Sequence, residues 1–147
     1  MKALLFKFLL IALVIVAPSC AKKQGCTDNE ADNYAVDAEE DDGSCYYSGG
    51  AVFYQGQASA QRMIDDGITQ VKVYFDGDFI GQITPFTHWS FVPDCNSTTA
   101  VTIPDYGLGF SKSQSFSYQV KDQNNQVLIS NNFSIVGNQC TAVELVY

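Results

Sequence analysis

The sequence has little of what most catalytic sites are built from. Its 147 residues include one histidine, His88, so a zinc site made of several histidines is excluded. A single histidine beside Trp89 on a predicted strand is far more typical of a packed or rim residue than of a catalyst. Asp65 and Asp66 are adjacent acids on a predicted loop, where carboxylates are normally solvated rather than arranged for general acid and base catalysis. We therefore predict that the protein is not an enzyme.

Basic residues are also scarce. The chain has 8 Lys and Arg against 16 Asp and Glu. Lys2 and Lys7 lie in residues 1–19, so residues 20–147 keep six basic and sixteen acidic residues, a net charge of −10. Binding to nucleic acid depends on clustered Lys and Arg. We expect no nucleic-acid partner.

One long uncharged run is present, and it lies at the amino terminus. Lys2 and Lys7 precede an apolar stretch over 8–17, which Pro18 and Ser19 close before Cys20. A positive end, a short apolar middle and small residues at a cleavage point are typical of an export signal. The apolar middle is shorter than the ~20 residues of a permanent membrane-spanning helix. Residues 1–19 are therefore predicted to be a signal helix that is removed.

Cys20 stands at the predicted cleavage point, and five cysteines in an exported protein leave one over after pairing. This region resembles the lipoprotein signal peptide of bacteria, although Ala17 stands where that family most often has leucine. The resemblance implies that Cys20 carries a palmitate-type diacyl anchor and that residues 20–25 form a lipidated spacer. Ala21 is not the aspartate that retains some lipoproteins in the inner membrane, so we expect the cell envelope, at the outer membrane, with the periplasmic or surface face left open. The alternative is cleavage nearby, with Cys20 a stray thiol.

Residues 26–45 hold half of the acids of the chain and no Lys or Arg. They resemble a small cysteine module of Gram-negative surface and secreted proteins with the pattern G-C-T-D-x-x-A-x-N-Y-x-x-x-A-x-x-D-D-G-S-C, and every fixed position is present. So short a segment with so little apolar content needs a disulfide or a metal to hold it. The four cysteines after Cys20 permit three pairings, and local closure favours Cys26 with Cys45, which leaves Cys95 with Cys140.

The acids of this module also raise the hypothesis of a calcium site, because calcium prefers carboxylate oxygens. Asp37, Glu39 and Asp41 alternate as ligands would, but the glycine falls at the seventh place of the loop and no acid stands at the twelfth. Solvated acids on a disulfide loop explain the pattern as well. No other cofactor is expected.

After a hinge predicted at 46–50, the apolar period changes to two, which predicts strands. Residues 49–147 are predicted to form a β-sandwich of the immunoglobulin or transthyretin type, because short strands alternate with turns every 8 to 12 residues. Asp76-Gly77 is a strong hairpin signal, 59–67 is predicted as a loop with one helical turn, and 107–109 as a tight connection. The predicted strands cover 51–55, 68–75, 78–84, 87–92, 100–104, 115–121, 127–136 as one or two segments, and 141–147.

This part resembles the β-domains of small bacterial lipoproteins in its D-G hairpin, in Pro93-Asp94-Cys95 and in Gln139-Cys140-Thr141. The resemblance implies a fold and a compartment but no known activity. Together these features predict a mostly β, lipid-anchored envelope protein with a structural or interaction role.

Aromatic residues support an alternative role. Several cluster in the middle of the sequence and offer stacking surfaces for a polysaccharide, or for an envelope protein, although the core of a sandwich also needs such residues. The proposed ligand platform consists of Trp89, Phe86 and Tyr106, with Phe91 and Phe110 nearby. A further alternative is adhesion stabilised by calcium.

Overall fold

The computed structural model describes residues 21–147, and the predicted leader and Cys20 lie outside this part. The described chain is mostly β-structure: two sheets pack as a β-sandwich, and a small disulfide-closed module precedes them. Across residues 21–147, no helix has the length and apolar character that a bilayer crossing needs. In chain order the elements are β1 (Gln24–Gly25), β2 (Glu40–Asp41), β3 (Tyr47–Tyr54), α1 (Gln57–Asp65), β4 (Val71–Phe75), β5 (Asp78–Ile83), β6 (Val101–Gly109), β7 (Ser113–Lys121), β8 (Val127–Val136) and β9 (Cys140–Glu144).

The first sheet has three strands, with β3 in the centre between β6 and β9. Strand β3 runs antiparallel to β6 and parallel to β9. It is buried almost throughout, which explains its continuous run of small and apolar residues. The predicted hinge at 46–50 is wrong, because β3 starts at Tyr47. A Cβ on Gly49 would lie 2.3 Å from the carbonyl oxygen of Val136, so close backbone packing requires a glycine there.

The second sheet has four strands in the order β5, β4, β7, β8. Asp76 and Gly77 join β4 to β5 with φ angles of 48° and 96°, which confirms the predicted hairpin and its need for positive φ. Alternate residues of β4 and β7 point into the core, as predicted: these are Val71, Val73 and Phe75 on β4, and Phe116, Tyr118 and Val120 on β7.

Aromatic rings fill the space between the two sheets. The ring of Phe53, on the first sheet, lies 5.6 Å from Tyr118 and 5.2 Å from Phe133, both on the second. Phe75 and Phe116 pack at 4.9 Å. Rings at these separations and tilted angles gain edge-to-face attraction in addition to buried area. Aromatic rings from both sheets therefore contribute to the core, together with aliphatic side chains such as Val73, Ile135 and Leu145.

Three further predicted elements differ from the structure. Residues 57–65 form a helix rather than a loop: Ala60 and Met63 face the core, and Gly67 follows at φ 75° in the position of a helix-ending glycine. Residues 87–92 form no strand. Residues 107–109 belong to β6, so its reversal into β7 comes after Gly109.

The cysteine module forms a compact loop that packs against the sandwich. Cys26 bonds to Cys45, and Cys95 bonds to Cys140, which confirms the favoured pairing. Strand β1 pairs with β2 in parallel, so Gln24 and Gly25 of the predicted spacer form a strand. Cys26, Ala31 and Cys45 are buried in one cluster with the core of the sandwich. The module is thus an extension of the sandwich core.

Candidate functional site

The connection between β5 and β6 carries the most distinctive surface of the described chain. It is organised by Gln55, a fully buried residue that follows β3. The Gln55 side-chain amide donates hydrogen bonds to the carbonyl oxygens of Thr84 (3.0 Å) and Thr87 (2.7 Å). Its backbone carbonyl accepts a hydrogen bond from the Trp89 N–H at 3.0 Å. Three bonds from one buried residue therefore hold an irregular segment in place.

The far end of this connection is fixed by the disulfide from Cys95 to Cys140. A tight turn follows Asp94: its carboxylate accepts a hydrogen bond from the Asn96 N–H at 2.7 Å, and its carbonyl oxygen accepts one from Ser97 at 3.1 Å. The Ser97 hydroxyl in turn accepts a hydrogen bond from the Ala100 N–H at 3.2 Å. The loop is therefore anchored at both ends although it contains no strand.

Trp89 and Phe91 form a ridge between two open clefts. Both residues line a cleft of about 190 Å³ that Tyr54 and Glu144 complete. They also line a second cleft of about 390 Å³, whose other wall is polar and includes Asn96, Ser97, Thr98 and Thr99. Phe91 is 72% exposed, and Trp89 is partly buried against the core. We name Trp89 and Phe91 the aromatic ridge.

This arrangement offers groups that can recognise a ligand. An exposed ring offers a stacking surface, and hydroxyl and amide groups beside it offer hydrogen bonds. Asp94 and Glu144 lie on different clefts, and the Asp94 Oδ1 is already occupied by the Asn96 N–H. His88 is exposed and lines neither of these clefts. The two clefts therefore present an aromatic ridge beside neutral polar groups.

The predicted aromatic platform is only partly assembled. Tyr106 packs in the core, with its ring 5.3 Å from Phe75 and 4.9 Å from Phe116. Phe86 is 73% exposed, but it lines neither cleft of the ridge. Phe110 is 79% exposed next to the end of β6. Of the predicted aromatics, the structure brings together Trp89 and Phe91.

Tyr54, Gln55 and Glu144 contribute to this region and were not predicted from the sequence. Tyr54 ends β3, and Glu144 ends β9 directly opposite it. Burial, and then the charge of Glu144, raise the pKa of the Tyr54 hydroxyl. Gln55 was the one available signal for this region, because a polar residue at the end of an apolar strand needs hydrogen-bond partners when it is buried.

The proposed calcium ligands are not gathered into a site. Asp37 forms an ion pair with Lys23, and the Asp41 carboxylate accepts a hydrogen bond from the Gly43 N–H at 3.0 Å. Glu39 is exposed. Within residues 21–147, no three or more His, Cys, Asp or Glu side chains group closely enough to hold a metal ion. Asp37, Glu39 and Asp41 therefore do not surround a common point.

The fixed positions of the module pattern make contacts that shape the loop. Asn33 bridges its two ends: its amide donates to the Ser44 carbonyl at 2.8 Å, and its oxygen accepts from the Tyr46 N–H at 3.0 Å. The Asp42 carboxylate accepts a hydrogen bond from the Ser44 N–H at 2.9 Å. The Ser44 side chain, and then this N–H, lower the pKa of Asp42. Fixed positions of the pattern, such as Asn33, Asp42 and Ser44, therefore make the hydrogen bonds that hold the folded loop.

Asp28 connects the module to the sandwich. Its carboxylate lies 2.5 Å from the Lys112 ammonium and accepts a hydrogen bond from the Tyr47 hydroxyl at 2.7 Å. The ammonium, then the Tyr47 hydroxyl and the Glu30 N–H, lower the pKa of Asp28 to about 2. Lys112 also contacts Glu30 at 3.3 Å. We name Asp28, Tyr47 and Lys112 the ionic latch.

Asp65 and Asp66 do not act as a pair. Asp65 accepts a hydrogen bond from the Gln61 side chain at 2.9 Å, and Asp66 accepts one from the Tyr147 hydroxyl at 2.7 Å. The second bond raises the pKa of Tyr147. Each acid therefore makes its own hydrogen bond at the end of α1.

Comparison of the chain with protein-family models, with curated proteins and with solved structures found no match.

Proposed function

We propose that this protein is a lipid-anchored component of the bacterial cell envelope that acts without catalysis, as a structural or interaction domain. The observation that carries the proposal is the use of cysteine. Four of the five cysteines are joined in two disulfides, and such bonds persist in oxidising compartments. The fifth is Cys20, at the end of the predicted signal segment.

The few residues between Cys20 and the folded module limit how far the module can lie from the membrane if Cys20 is the anchor. Lys23 already belongs to the folded module, because its carbonyl oxygen accepts a hydrogen bond from the Glu39 N–H at 2.8 Å. Three residue steps separate Cys20 from Lys23, a reach of about 10 Å when extended. In this proposal the acidic module stands directly at the membrane surface, and the ionic latch holds the sandwich to it.

Metabolic labelling tests the anchor. Cells that express the full chain are grown with labelled palmitate, and the protein is recovered and analysed on a gel. Label is expected on the natural chain and not on Cys20→Ala. An unlabelled natural chain would contradict the proposal, as would equal label on the two chains.

The aromatic ridge favours a second candidate function, the binding of polysaccharide. An exposed aromatic ring beside a polar wall suits a sugar, whose ring has one apolar face and a rim of hydroxyl groups. The polar wall of the larger cleft offers neutral hydroxyl and amide groups, and Asp94 is the one charged residue lining it. A neutral polysaccharide fits this lining better than an acidic one, since the chain as a whole is acidic.

Sedimentation with insoluble cellulose or chitin tests this second function. Phe91→Ala should weaken binding about tenfold, the upper range for loss of one aromatic stacking contact. Phe110→Ala is the matched control, because it removes an equally exposed phenylalanine far from the ridge in sequence. Equal losses in the two variants, or no binding by the natural chain, would remove this candidate.

A further inference from the structure

Each sheet of the sandwich ends in two edge strands, and three of these four strands carry features that discourage pairing with another strand. Strand β5 has six residues and begins with Asp78. Strand β6 contains Pro104 and Asp105, and its register with β3 shifts twice. Strand β9 has five residues, begins at a disulfide and ends with Glu144. Short length, charge, proline and bulges are the usual protections of an exposed edge.

Strand β8 lacks these protections over most of its length. It is the longest strand of the described chain, with ten residues, and its sequence VLISNNFSIV contains no charged residue and no proline. Its neighbour on one side is β7, and it forms the outer edge of the four-stranded sheet. Pairing with β7 is regular from Ile129 to Val136, with an irregularity confined to the other end. Most of β8 is therefore a straight, uncharged edge.

The backbone groups of β8 are directed for pairing. Asn132 lies opposite Ser117, whose carbonyl oxygen accepts a hydrogen bond from Asp76 on the far side of β7. By the alternation of an antiparallel ladder, the Asn132 backbone groups then point away from β7. The Asn132 N–H is bonded to the side chain of Asn131 at 2.8 Å, a local contact that an incoming strand can replace. Ser130 and Ser134 share this outward direction.

Charge indicates which strand this edge accepts. Residues 20–147 carry a net charge of −10, so two copies repel each other over most of their surfaces. Antiparallel self-pairing of β6 about its centre brings Asp105 opposite its own copy, and like charges across a strand pair are destabilising, while β5 and β9 offer only six and five residues. Self-pairing of β8 opposes only uncharged side chains. The edge suited to a second copy is therefore the unprotected one.

We propose that β8 pairs antiparallel with β8 of a second copy of this chain. The contact is isologous, with the same residues contributed by both copies. It joins two four-stranded sheets into one continuous sheet of eight strands. Because a two-fold axis perpendicular to the sheet keeps each face on the same side, Ser130, Asn132 and Ser134 of both copies form a single polar outer surface.

Photocrosslinking in the full chain tests the pairing. A benzoylphenylalanine is placed at Asn132, and two versions of the chain with tags of different mass are expressed together. The expected product joins one copy of each tag. The control places the same group at Asp78, which is exposed on the protected edge β5, and is expected to give little of this product. A product at Asn132 that joins a different protein, equal yields at the two positions, or no product at Asn132 would overturn the proposal.

A matched pair of lysine variants tests whether the crosslinked product depends on the β8 edge. With the crosslinker at Ser130, Asn132→Lys should lower the yield about fivefold, because it places like charges opposite each other across the new strand pair. Ser117→Lys adds the same charge one strand inward and should leave the yield unchanged. Correct folding is checked in both variants by the mobility of the disulfide-bonded form on a non-reducing gel. An unchanged yield in Asn132→Lys with intact disulfides would exclude β8 as the pairing edge.

Discussion

The cysteine module and the sandwich are stabilised in different ways although they meet in one core. The sandwich buries large rings such as Phe53, Phe75 and Phe116 between two sheets. The module buries Ala31 and its disulfide, and otherwise depends on hydrogen bonds and on the ionic latch. The module keeps its shape through covalent and polar links because it has too little apolar surface to do so by burial.

The largest expected effect breaks the sandwich side of this comparison. Phe53→Ala removes a fully buried ring that packs against Tyr118 and Phe133. It should reduce the free energy of unfolding by about 3 to 5 kcal/mol, measured by urea denaturation. Phe91→Ala is the control, since its exposed ring contributes little to the core. Equal losses in the two variants would mean that the rings do not dominate stability.

An intermediate effect is expected on the module side. Replacing both Cys26 and Cys45 by serine removes a link across 19 positions, worth about 3 kcal/mol in the entropy of the opened loop. Hydrogen exchange should speed up within residues 26–45, while amides of β7 stay protected. If β7 loses protection to the same degree, the module and the sandwich unfold as one unit, and they are not stabilised in different ways.

The smallest expected effect is electrostatic and sharpens the comparison at the contact between the two regions. The folded pKa of Asp28, about 2, lies below its ordinary value of 3.8, so its carboxylate stabilises the fold above about pH 4. This contribution is lost as the pH falls toward 2. The stability difference between the natural chain and Asp28→Asn should therefore be constant above pH 4 and shrink below it.

Urea denaturation at several pH values measures this difference. Lys112→Met provides the internal comparison, because the ammonium is the largest cause of the lowered pKa of Asp28. In a Lys112→Met background, Asp28→Asn should show a weaker dependence on pH in the same interval. A difference that stays constant from pH 5 to pH 2 in the natural background would contradict the role assigned to the latch.

The sequence allowed the β-sandwich, the hairpin at Asp76-Gly77 and both disulfides to be predicted. These features have local signals: alternation of apolar residues, a turn dipeptide that tolerates positive φ, and the short separation of Cys26 from Cys45. The buried faces of β4 and β7 follow from the same alternation. The Cys95–Cys140 bond, across 45 positions, followed from the pairing of the other two cysteines rather than from a local signal.

The errors arise where distant residues decide the structure. Gly49 and Gly50 resemble a flexible hinge, but they are needed because Val136 and Ile103 approach their backbone closely. Residues 87–92 were predicted to form a strand because their apolar content is visible in the sequence, whereas the hydrogen bonds that attach this region to Gln55 are not. Tyr106 belongs to the core because Phe75 and Phe116 face it from the other sheet. None of these neighbours is close in sequence.

The parallel contact between β3 and β9 sets the order in which the sandwich can be completed. The central strand of the first sheet is made early in synthesis, but both of its neighbours come from the second half of the chain. Until residues 140–144 have been made, β3 lacks one of its two neighbouring strands and Cys95 lacks its disulfide partner. A chain that ends just before Cys140 would therefore leave one side of β3 without a neighbouring strand and Cys95 without a disulfide bond.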